Sequence, residues 1–196
     1  MRRIFRMSGF LLSVPALALA EPISLPDAAH SFVEPVLVAS SSGQVIGDGF
    51  RVIVRDQNGL AMPGVTVDVV FPVTGPHAYT TQPPPMMAYC STHLIRATAG
   101  VDGSVEFHPR AGGFANTPVV TVKANGIALG QAAVRSTDVD ADGDTDIHDF
   151  SIFRADFLGG ASPPEADFDE VGGVGIGDFY VFRTIFLNDV PGTICP

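Results

Sequence analysis

The chain has 196 residues and 46% hydrophobic side chains, enough for one or two domains with a buried core. Its formal net charge is −10, and residues 138–196 carry 13 acidic and 2 basic side chains. This charge argues against a nucleic-acid partner, because phosphate binding needs a basic surface. After the first twenty residues no run of 18 apolar residues occurs, so we expect no membrane span.

The first twenty residues have the composition of a secretory signal peptide. Three arginines within the first six residues precede an apolar segment at positions 10–17, and Ala18-Leu19-Ala20 offers a small-residue cleavage site. We therefore expect an exported protein, either secreted or held at the cell surface. An uncleaved membrane anchor is the alternative for this segment.

Residues 21–136 have the pattern of an antiparallel β-sandwich, after a mobile lead-in at 21–33. Alternating apolar residues and turn residues predict strands at 35–40, 50–55, 65–71, 93–99, 104–108, 119–124 and 127–135. Residues 72–86 contain five prolines and are expected to form a long loop. Asp102-Gly103 and Asn125-Gly126 fit tight hairpin turns. About seven short strands with such turns are typical of a sandwich of about 100 residues.

Part of this region is similar to a known family. The segment GDGFRVIVRDQNGLAMPGVTVDVVF, followed by TAGVDGSVEF and VVTVKANG, resembles bacterial immunoglobulin-like repeats of the invasin/intimin type. The resemblance covers residues 40–135 and implies an immunoglobulin-like sandwich. In that family such domains are mostly spacers or display modules, and some stand in adhesins. The resemblance assigns no ligand-binding residues to this chain.

The last third of the chain contains an internal duplication. Residues 138–158 recur at 167–187 with an offset of 29, and ten of the 21 positions are identical. A match of this density at a fixed period indicates a repeat. The identical pairs are Asp138/Asp167, Asp140/Asp169, Gly143/Gly172, Ile147/Ile176, Asp149/Asp178, Phe150/Phe179, Phe153/Phe182, Arg154/Arg183, Phe157/Phe186 and Leu158/Leu187.

The first copy begins with the acidic loop DVDADGDTDIHD, residues 138–149, here called loop one. Its carboxylates occupy alternate positions, which allows them to point at one ion, and Gly143 permits the sharp turn at position 6. Calcium prefers six to eight oxygen ligands of this kind. The predicted side-chain ligands are Asp138, Asp140, Asp142, Asp146 and Asp149, and Asp144 is predicted to bind through its backbone carbonyl. In one alternative Asp146 binds the ion through a water molecule. A solvated acidic linker is the alternative interpretation.

Residues 167–178, here called loop two, have lost part of the ligand set. Val171 stands at position 5 and Gly175 at position 9, so two side-chain ligands are missing. We expect this second site to be weak or empty. Its candidate ligands are Asp167, Asp169, Gly173 through its backbone carbonyl, and Asp178.

An amphipathic helix is predicted after each loop. Ile147, Phe150, Phe153 and Phe157 form an apolar stripe that the second copy repeats. Two short helices without a large neighbour are expected to bury these stripes against each other. Ser136-Thr137 leaves almost no linker, so the helices should contact the sandwich.

A loop followed by one helix, twice, without the entering helix of an EF-hand, resembles the type I dockerin domain. The resemblance covers about the last 60 residues, and Asp at position 12 also fits it. It implies two calcium sites and a cohesin-like partner. In that family the partner contacts loop positions 10 and 11, where cellulosomal members often carry Ser or Thr. Those positions here are Ile147, His148, Ile176 and Gly177.

The two cysteines of the chain, Cys90 and Cys195, are candidates for a disulfide bond, because an exported chain meets an oxidising environment. The bond would close a loop of about 105 residues and contribute about 4–5 kcal/mol in the chain-entropy model. Two separate thiols, or a bond to another chain, are the alternatives.

No catalytic set is recognisable. The sequence lacks the zinc-protease, nucleophile-elbow and phosphate-loop motifs, and its five histidines are scattered. Six carboxylates within one twelve-residue loop, five of them predicted side-chain ligands, favour metal binding over the paired carboxylates of glycoside hydrolysis. We therefore expect no enzyme.

The sequence predicts a mainly β protein with a small α module. An immunoglobulin-like sandwich at 21–136 is followed by a calcium-binding, dockerin-like helix pair at 137–190 and a tail at 191–196. Docking to a cohesin-like domain is the first functional hypothesis. The alternative is a structural or adhesin-type surface protein in which the helix pair caps the sandwich and the immunoglobulin-like domain binds glycan or protein.

Overall fold

The computed structural model describes residues 24–44, 46, 49–160 and 165–196. The predicted signal peptide at residues 1–20 lies outside them. The described chain is mainly β, with two helices near its C-terminal end. This confirms the predicted fold class in its coarse form, mainly β with a small helical module. Residues 24–136 are here called the β-domain and residues 137–188 the helical module. Neither helix of the described part is long and apolar enough to cross a membrane.

The described residues form short strands and two helices of three turns each. The strands are β1 (Phe32–Val33), β2 (Val36–Ala39), β3 (Phe50–Ile53), β4 (Thr66–Val70), β5 (His77–Ala78), β6 (Met87–Tyr89), β7 (Leu94–Thr98), β8 (Ser104–Phe107), β9 (Ala111–Gly112), β10 (Ala115–Ala124) and β11 (Ile127–Ser136). A 3-10 turn spans Cys90–Thr92, and the helices are α1 (Ile147–Phe157) and α2 (Ile176–Leu187).

The strands form two main sheets and one short pair. The larger sheet has the order β2-β11-β10-β4-β7-β6, the smaller has the order β1-β3-β8, and β5 pairs with β9. Asn125 and Gly126, both with positive φ, close the β10–β11 hairpin as the sequence predicted. One pairing departs from the expected antiparallel arrangement, since β2 lies parallel to β11 at the edge of the larger sheet.

Both main sheets contribute to one buried core. In β3 the side chains of Phe50 and Val52 are buried while Arg51 between them is exposed. They join Val67 and Val69 of β4 in a single apolar cluster. Period-two alternation places one face of each strand inside, and burial of that face is the main force holding the sheets together.

Three local expectations are corrected by the structure. The lead-in at 21–33 is not mobile over its described part, because Pro26 bridges to Asp56 and β1 pairs with β3. The turn at Asp102-Gly103 does not close a hairpin, since β7 and β8 belong to different sheets. The proline-rich loop at 72–86 contains the short strand β5. Pairings of two residues carry no periodic signal, which is why the sequence did not show them.

The C-terminal residues 189–195, here called the C-terminal strap, return to the β-domain and are not a loose tail. Cys90 and Cys195 form a disulfide bond with 4.9 Å between their Cα atoms. Ile194 bridges to Tyr79, and the Cys195 N–H donates to the Ala78 carbonyl at 2.8 Å. The strap therefore fixes the end of the helical module to the sheet pair.

The two helices bury only the middle of their aromatic stripes. Phe153 and Phe182 stack with ring centroids 5.2 Å apart and are almost fully buried. They belong to a second apolar cluster that includes Ile46 of the β-domain, so the helical module contacts the β-domain as expected. Contrary to the expectation of full burial, the ends of both stripes are exposed: Ile147, Phe157, Ile176 and Phe186.

The difference between the middle and the end of the stripe gives a matched test on one helix. We expect Phe153→Ala to lower the free energy of unfolding by about 3–5 kcal/mol, since a buried aromatic ring is lost. Phe157→Ala, where the ring is 45% exposed, should cost about 1 kcal/mol or less. Urea unfolding followed by circular dichroism at 222 nm measures both values. Equal losses would contradict the assigned packing.

Candidate metal centre

The two acidic loops share positive φ at positions 4 and 6, and loop two has a further positive φ at position 7, 84° at Gly173. Position 4 is left-handed in both, with φ of 63° at Ala141 and 57° at Glu170. Position 6 also has positive φ in both, 113° at Gly143 and 77° at Gly172. Glycine at position 6 is therefore required by the turn. The duplication seen in the sequence extends to the geometry of the loops.

The last carboxylate of each loop closes it by accepting backbone hydrogen bonds. In loop one, Asp149 Oδ1 accepts from Val139 N–H at 2.6 Å and from Asp140 N–H at 3.2 Å, and Oδ2 accepts from Asp146 N–H at 2.8 Å. The Asp149 carboxylate, which stands in the first turn of α1, thus connects this helix to the beginning and to the end of loop one.

In loop two Asp178 repeats these contacts. It accepts from Phe168, Asp169 and Gly175 at the equivalent positions. Both closing carboxylates stand in the first turn of their helix, where the helix dipole favours negative charge.

The predicted ligand side chains come together in small groups. Within each group, one ligand atom per residue lies within 4.8 Å of the others. The groups are Asp138 with Asp140 and Asp149, Asp144 with Asp146 and Asp149, Asp140 with Asp142 and His148, and Asp167 with Asp169 and Asp178. The structure therefore brings the predicted side chains of each loop together. His148, which is also expected at a partner contact, lies beside Asp140 and Asp142 of loop one.

Two carboxylate oxygens in the loops are buried without a hydrogen-bond partner. They are Asp144 Oδ1 in loop one and Asp167 Oδ1 in loop two. A buried carboxylate oxygen without a partner is costly. A cation bound in loop two would satisfy Asp167 Oδ1, which belongs to a predicted side-chain ligand, whereas Asp144 is predicted to bind only through its backbone carbonyl. The Asp167 oxygen and the acidic oxygen donors of both loops fit a hard divalent cation.

Burial and mutual repulsion raise the pKa of several loop carboxylates. Burial raises the pKa of Asp138 to about 6 and that of Asp149 to about 7. Burial, with the charge of Asp142 next, also raises the pKa of Asp140 and of Asp144. In loop two, burial raises the pKa of Asp178. Loop one is therefore charged at neutral pH only at a cost in free energy.

The β-domain contributes contacts to each loop that the sequence did not reveal. The hydroxyl of Tyr79 donates to Asp138 Oδ2. Arg135 at the end of β11 donates to the Asp167 carbonyl and forms an ion pair with Asp167 Oδ2 at 3.2 Å. Tyr79 lies 59 positions from its partner, so no local pattern indicates it.

A polar cluster supports the base of loop one. Thr145 shares hydrogen bonds with Ser41 at 2.7 Å and with Thr137 at 3.1 Å, and all three side chains are buried. Ser41 also donates to Asp189 of the C-terminal strap. Loop one is therefore anchored from the β-domain and from the C-terminal end.

The positions expected to contact a partner are not equivalent in the structure. Ile147 and Ile176 are 59% and 62% exposed. His148 is exposed and lies within hydrogen-bonding distance of Asp146, 3.2 Å from its Oδ2. Gly177 lies over Asp169, because a Cβ at this position would overlap the Asp169 carboxylate. Only the two isoleucines present exposed apolar side chains.

Comparisons with protein-family models, with curated proteins and with solved structures gave no match.

The raised pKa values predict an unusual pH dependence for the metal-free protein. Between pH 4 and pH 7 the folded state binds more protons at Asp138 and Asp149 than the unfolded state, so stability should fall as pH rises. We expect the melting temperature to be higher at pH 5 than at pH 8, by on the order of 5 °C. The protein is stripped with chelator at pH 8, exchanged into metal-free buffer and followed by calorimetry.

The matched control is Asp138→Asn combined with Asp149→Asn, which should weaken this trend. Saturating calcium should abolish or reverse it in the unmutated protein, because protons then compete with the bound ion. A metal-free melting temperature that rises from pH 5 to pH 8 would refute the assigned shifts.

Proposed function

We propose that the chain is an exported, non-catalytic calcium-binding protein, in which an immunoglobulin-like sandwich carries a dockerin-like helix pair that docks onto a cohesin-like domain. The observation that carries this proposal is the duplicated loop, with positive φ at positions 4 and 6 and the same closing carboxylate in both copies. Repeated backbone geometry of this kind is not needed by a solvated acidic linker.

Calcium is the cation that fits the loops best. Its six to eight ligands are hard oxygens, and loop one supplies carboxylates at positions 1, 3, 5, 9 and 12. In the proposed site, Asp138, Asp140, Asp142, Asp146 and Asp149 hold the ion together with the Asp144 backbone carbonyl. An extracellular location would provide the millimolar calcium at which weak sites fill.

Loop two is proposed as a weaker site. Its side-chain ligands are Asp167, Asp169 and Asp178, with Gly173 offering its carbonyl. Position 5 is the exposed Val171 and position 9 is Gly175. Arg135 already offsets part of the negative charge at Asp167, which lowers the electrostatic gain from binding a cation there.

Two apolar grooves on the helix pair support the docking part of the proposal. One, of about 270 Å³, is lined by Phe150, Phe153, Arg154, Phe157, Ile176 and Phe179. The other, of about 340 Å³, is lined by Ile147, Phe150, Phe179, Phe182, Arg183, Phe186 and Leu187. Most residues that line one groove have a counterpart 29 positions away in the sequence that lines the other groove. Exposed apolar side chains cluster here, among them Ile147, Phe157, Ile176 and Phe186, and such clusters are typical of interaction sites.

A second candidate function is an intramolecular cap. In this alternative the helical module stabilises the β-domain and has no docking partner, and the immunoglobulin-like domain of a surface protein or adhesin binds glycan or protein. The observation that favours it is the shared apolar cluster of Phe153, Phe168 and Phe182 with Ile46 of the β-domain.

Calorimetric titration of Ca²⁺ into the metal-free protein tests the metal site. We expect one well-resolved site in the unmutated protein, lost in Asp138→Asn combined with Asp149→Asn. The equivalent change in loop two, Asp167→Asn with Asp178→Asn, is the matched control and should keep it. At a calcium concentration of 100 Kd the bound ion should add about 2.7 kcal/mol to the free energy of unfolding. Absence of any heat of binding, with identical melting in calcium and in chelator, would reject the proposal.

Docking is tested with recombinant cohesin domains immobilised for surface plasmon resonance. We expect binding in calcium and none in chelator, and at least about tenfold weaker binding for Ile147→Glu with Ile176→Glu, because hot-spot side chains typically contribute more than about 1.4 kcal/mol. Val101→Glu, at a 92% exposed apolar residue of the β-domain, is the control. No binding to any cohesin, together with an unchanged calcium site, would favour the cap.

A further inference from the structure

The C-terminal strap is attached to the β-domain along its whole final stretch. The Cys90–Cys195 disulfide anchors its end, and Thr80 N–H donates to the Thr193 carbonyl at 2.8 Å. With the Tyr79–Ile194 bridge, these contacts extend the short β5 segment by one more antiparallel partner. The strap therefore has a fixed position relative to residues 78–80.

The same strap touches loop one at its sharpest turn. Gly192 N–H donates to the Gly143 carbonyl at 2.7 Å. A Cβ at Gly143 would lie 2.8 Å from the Gly192 carbonyl oxygen, so the two backbones are in direct contact. Arg110 of the β-domain donates to the Val190 carbonyl and to the Ser41 carbonyl. Loop two shows no such contact with the strap among the described residues.

Tyr79 lies where the strap, the β-domain and loop one meet. Its side chain is fully buried, and its hydroxyl donates to Asp138 Oδ2. Its ring packs so closely on the strap that a Cβ at Gly192 would overlap it. The Arg110 guanidinium lies over the same ring, 5.2 Å from its centroid. The position of the hydroxyl is thus set by the strap and by Arg110.

Apart from contacts within loop one, the Asp138 carboxylate accepts a hydrogen bond from the Tyr79 hydroxyl, and the Asp138 backbone carbonyl accepts one from Gly113 N–H at 2.6 Å. Asp138 is fully buried, and its Oδ2 also accepts from Gly143 N–H at 3.2 Å. A tyrosine hydroxyl is protonated at neutral pH, so Tyr79 remains a hydrogen-bond donor to Asp138. A donor that fixes a metal-ligating carboxylate typically contributes 10- to 100-fold to metal affinity.

We propose that Tyr79 is a positioning residue for the cation site of loop one, and that the C-terminal strap and its disulfide hold Tyr79 in place. This inference rests on the proposed function, in that loop one binds a divalent cation. The two loops then differ in their neighbours as well as in their ligands. The first aspartate of loop two, Asp167, is held by the cationic Arg135, whereas that of loop one is held by a neutral hydroxyl. Calcium affinity at loop one therefore depends on residues of the β-domain and on the disulfide.

Binding and disulfide stability must then be linked in both directions. If the intact disulfide favours calcium at loop one, bound calcium disfavours reduction of the disulfide by the same factor. Reduction by a dithiol converts Cys90–Cys195 to two thiols, with the dithiol oxidised to its own cyclic disulfide. Excess calcium should shift this equilibrium toward the intact bond.

The decisive variant is Tyr79→Phe, which removes the hydroxyl and keeps the ring. We expect the calcium Kd of loop one, measured by calorimetry on the full chain, to rise by about tenfold or more. Tyr89→Phe, on strand β6, is the matched control and should leave the Kd unchanged. Cys90→Ser with Cys195→Ser should also raise the Kd while keeping the far-ultraviolet circular dichroism of the folded protein. A Tyr79→Phe Kd equal to that of the unmutated protein would overturn the proposal.

A metal-independent measurement separates this inference from the proposed function. Gly143 N–H reports on Asp138, and we expect its hydrogen exchange in metal-free protein to be faster in Tyr79→Phe than in the unmutated chain or in Tyr89→Phe. Should the unmutated protein bind no calcium, the proposed function fails, and this exchange rate alone decides whether Tyr79 positions Asp138. Equal exchange rates would overturn the positioning role.

Discussion

Loop one depends on aspartates that are buried without a matching cation from the protein. Asp138 and Asp149 are fully buried, and the ion pairs formed by the described residues of loop one involve only His148 with Asp146. Removing carboxylates from water is expensive unless they are paired. Backbone N–H groups that donate to these carboxylates offset part of this cost. The same hydrogen bonds fix the turn, the start of α1 and the approach of the loop to the β-domain. A bound cation would complete the compensation, so that binding of the ion and ordering of the module are one process.

The two loops share one backbone but stand in different surroundings. Loop one receives a neutral hydroxyl from Tyr79 and a carbonyl contact from the strap, whereas loop two receives the charge of Arg135. A neutral donor orients a ligand without repelling a cation, while a guanidinium competes with one for the same carboxylate. The duplicated loop has therefore diverged in two ways, through its own residues at positions 5 and 9 and through its neighbours in the β-domain.

Features determined by neighbouring residues could be predicted, and features determined by distant residues could not. The carboxylates of both loops, the turn at Gly143 and the two helices follow from local spacing, and most strands follow from alternation. The strand pair β5–β9 and the contact between Tyr79 and Asp138 have no local signal, since they join parts of the chain far apart in sequence. The aromatic stripe predicted which face is apolar, but only packing decides that Phe153 is covered while Phe157 is exposed.

The parallel pairing of β2 with β11 has a kinetic consequence. Val36 pairs with Ala133, so this edge of the larger sheet joins nearly the two ends of the β-domain. Pairings between such distant segments form slowly, because the entropy of closing the intervening chain is lost before the contacts are gained. Loop one begins two residues after β11 ends. The acidic repeat therefore emerges directly after the last strand, and its aspartates reach their final place beside the β-domain only once this slow pairing has formed.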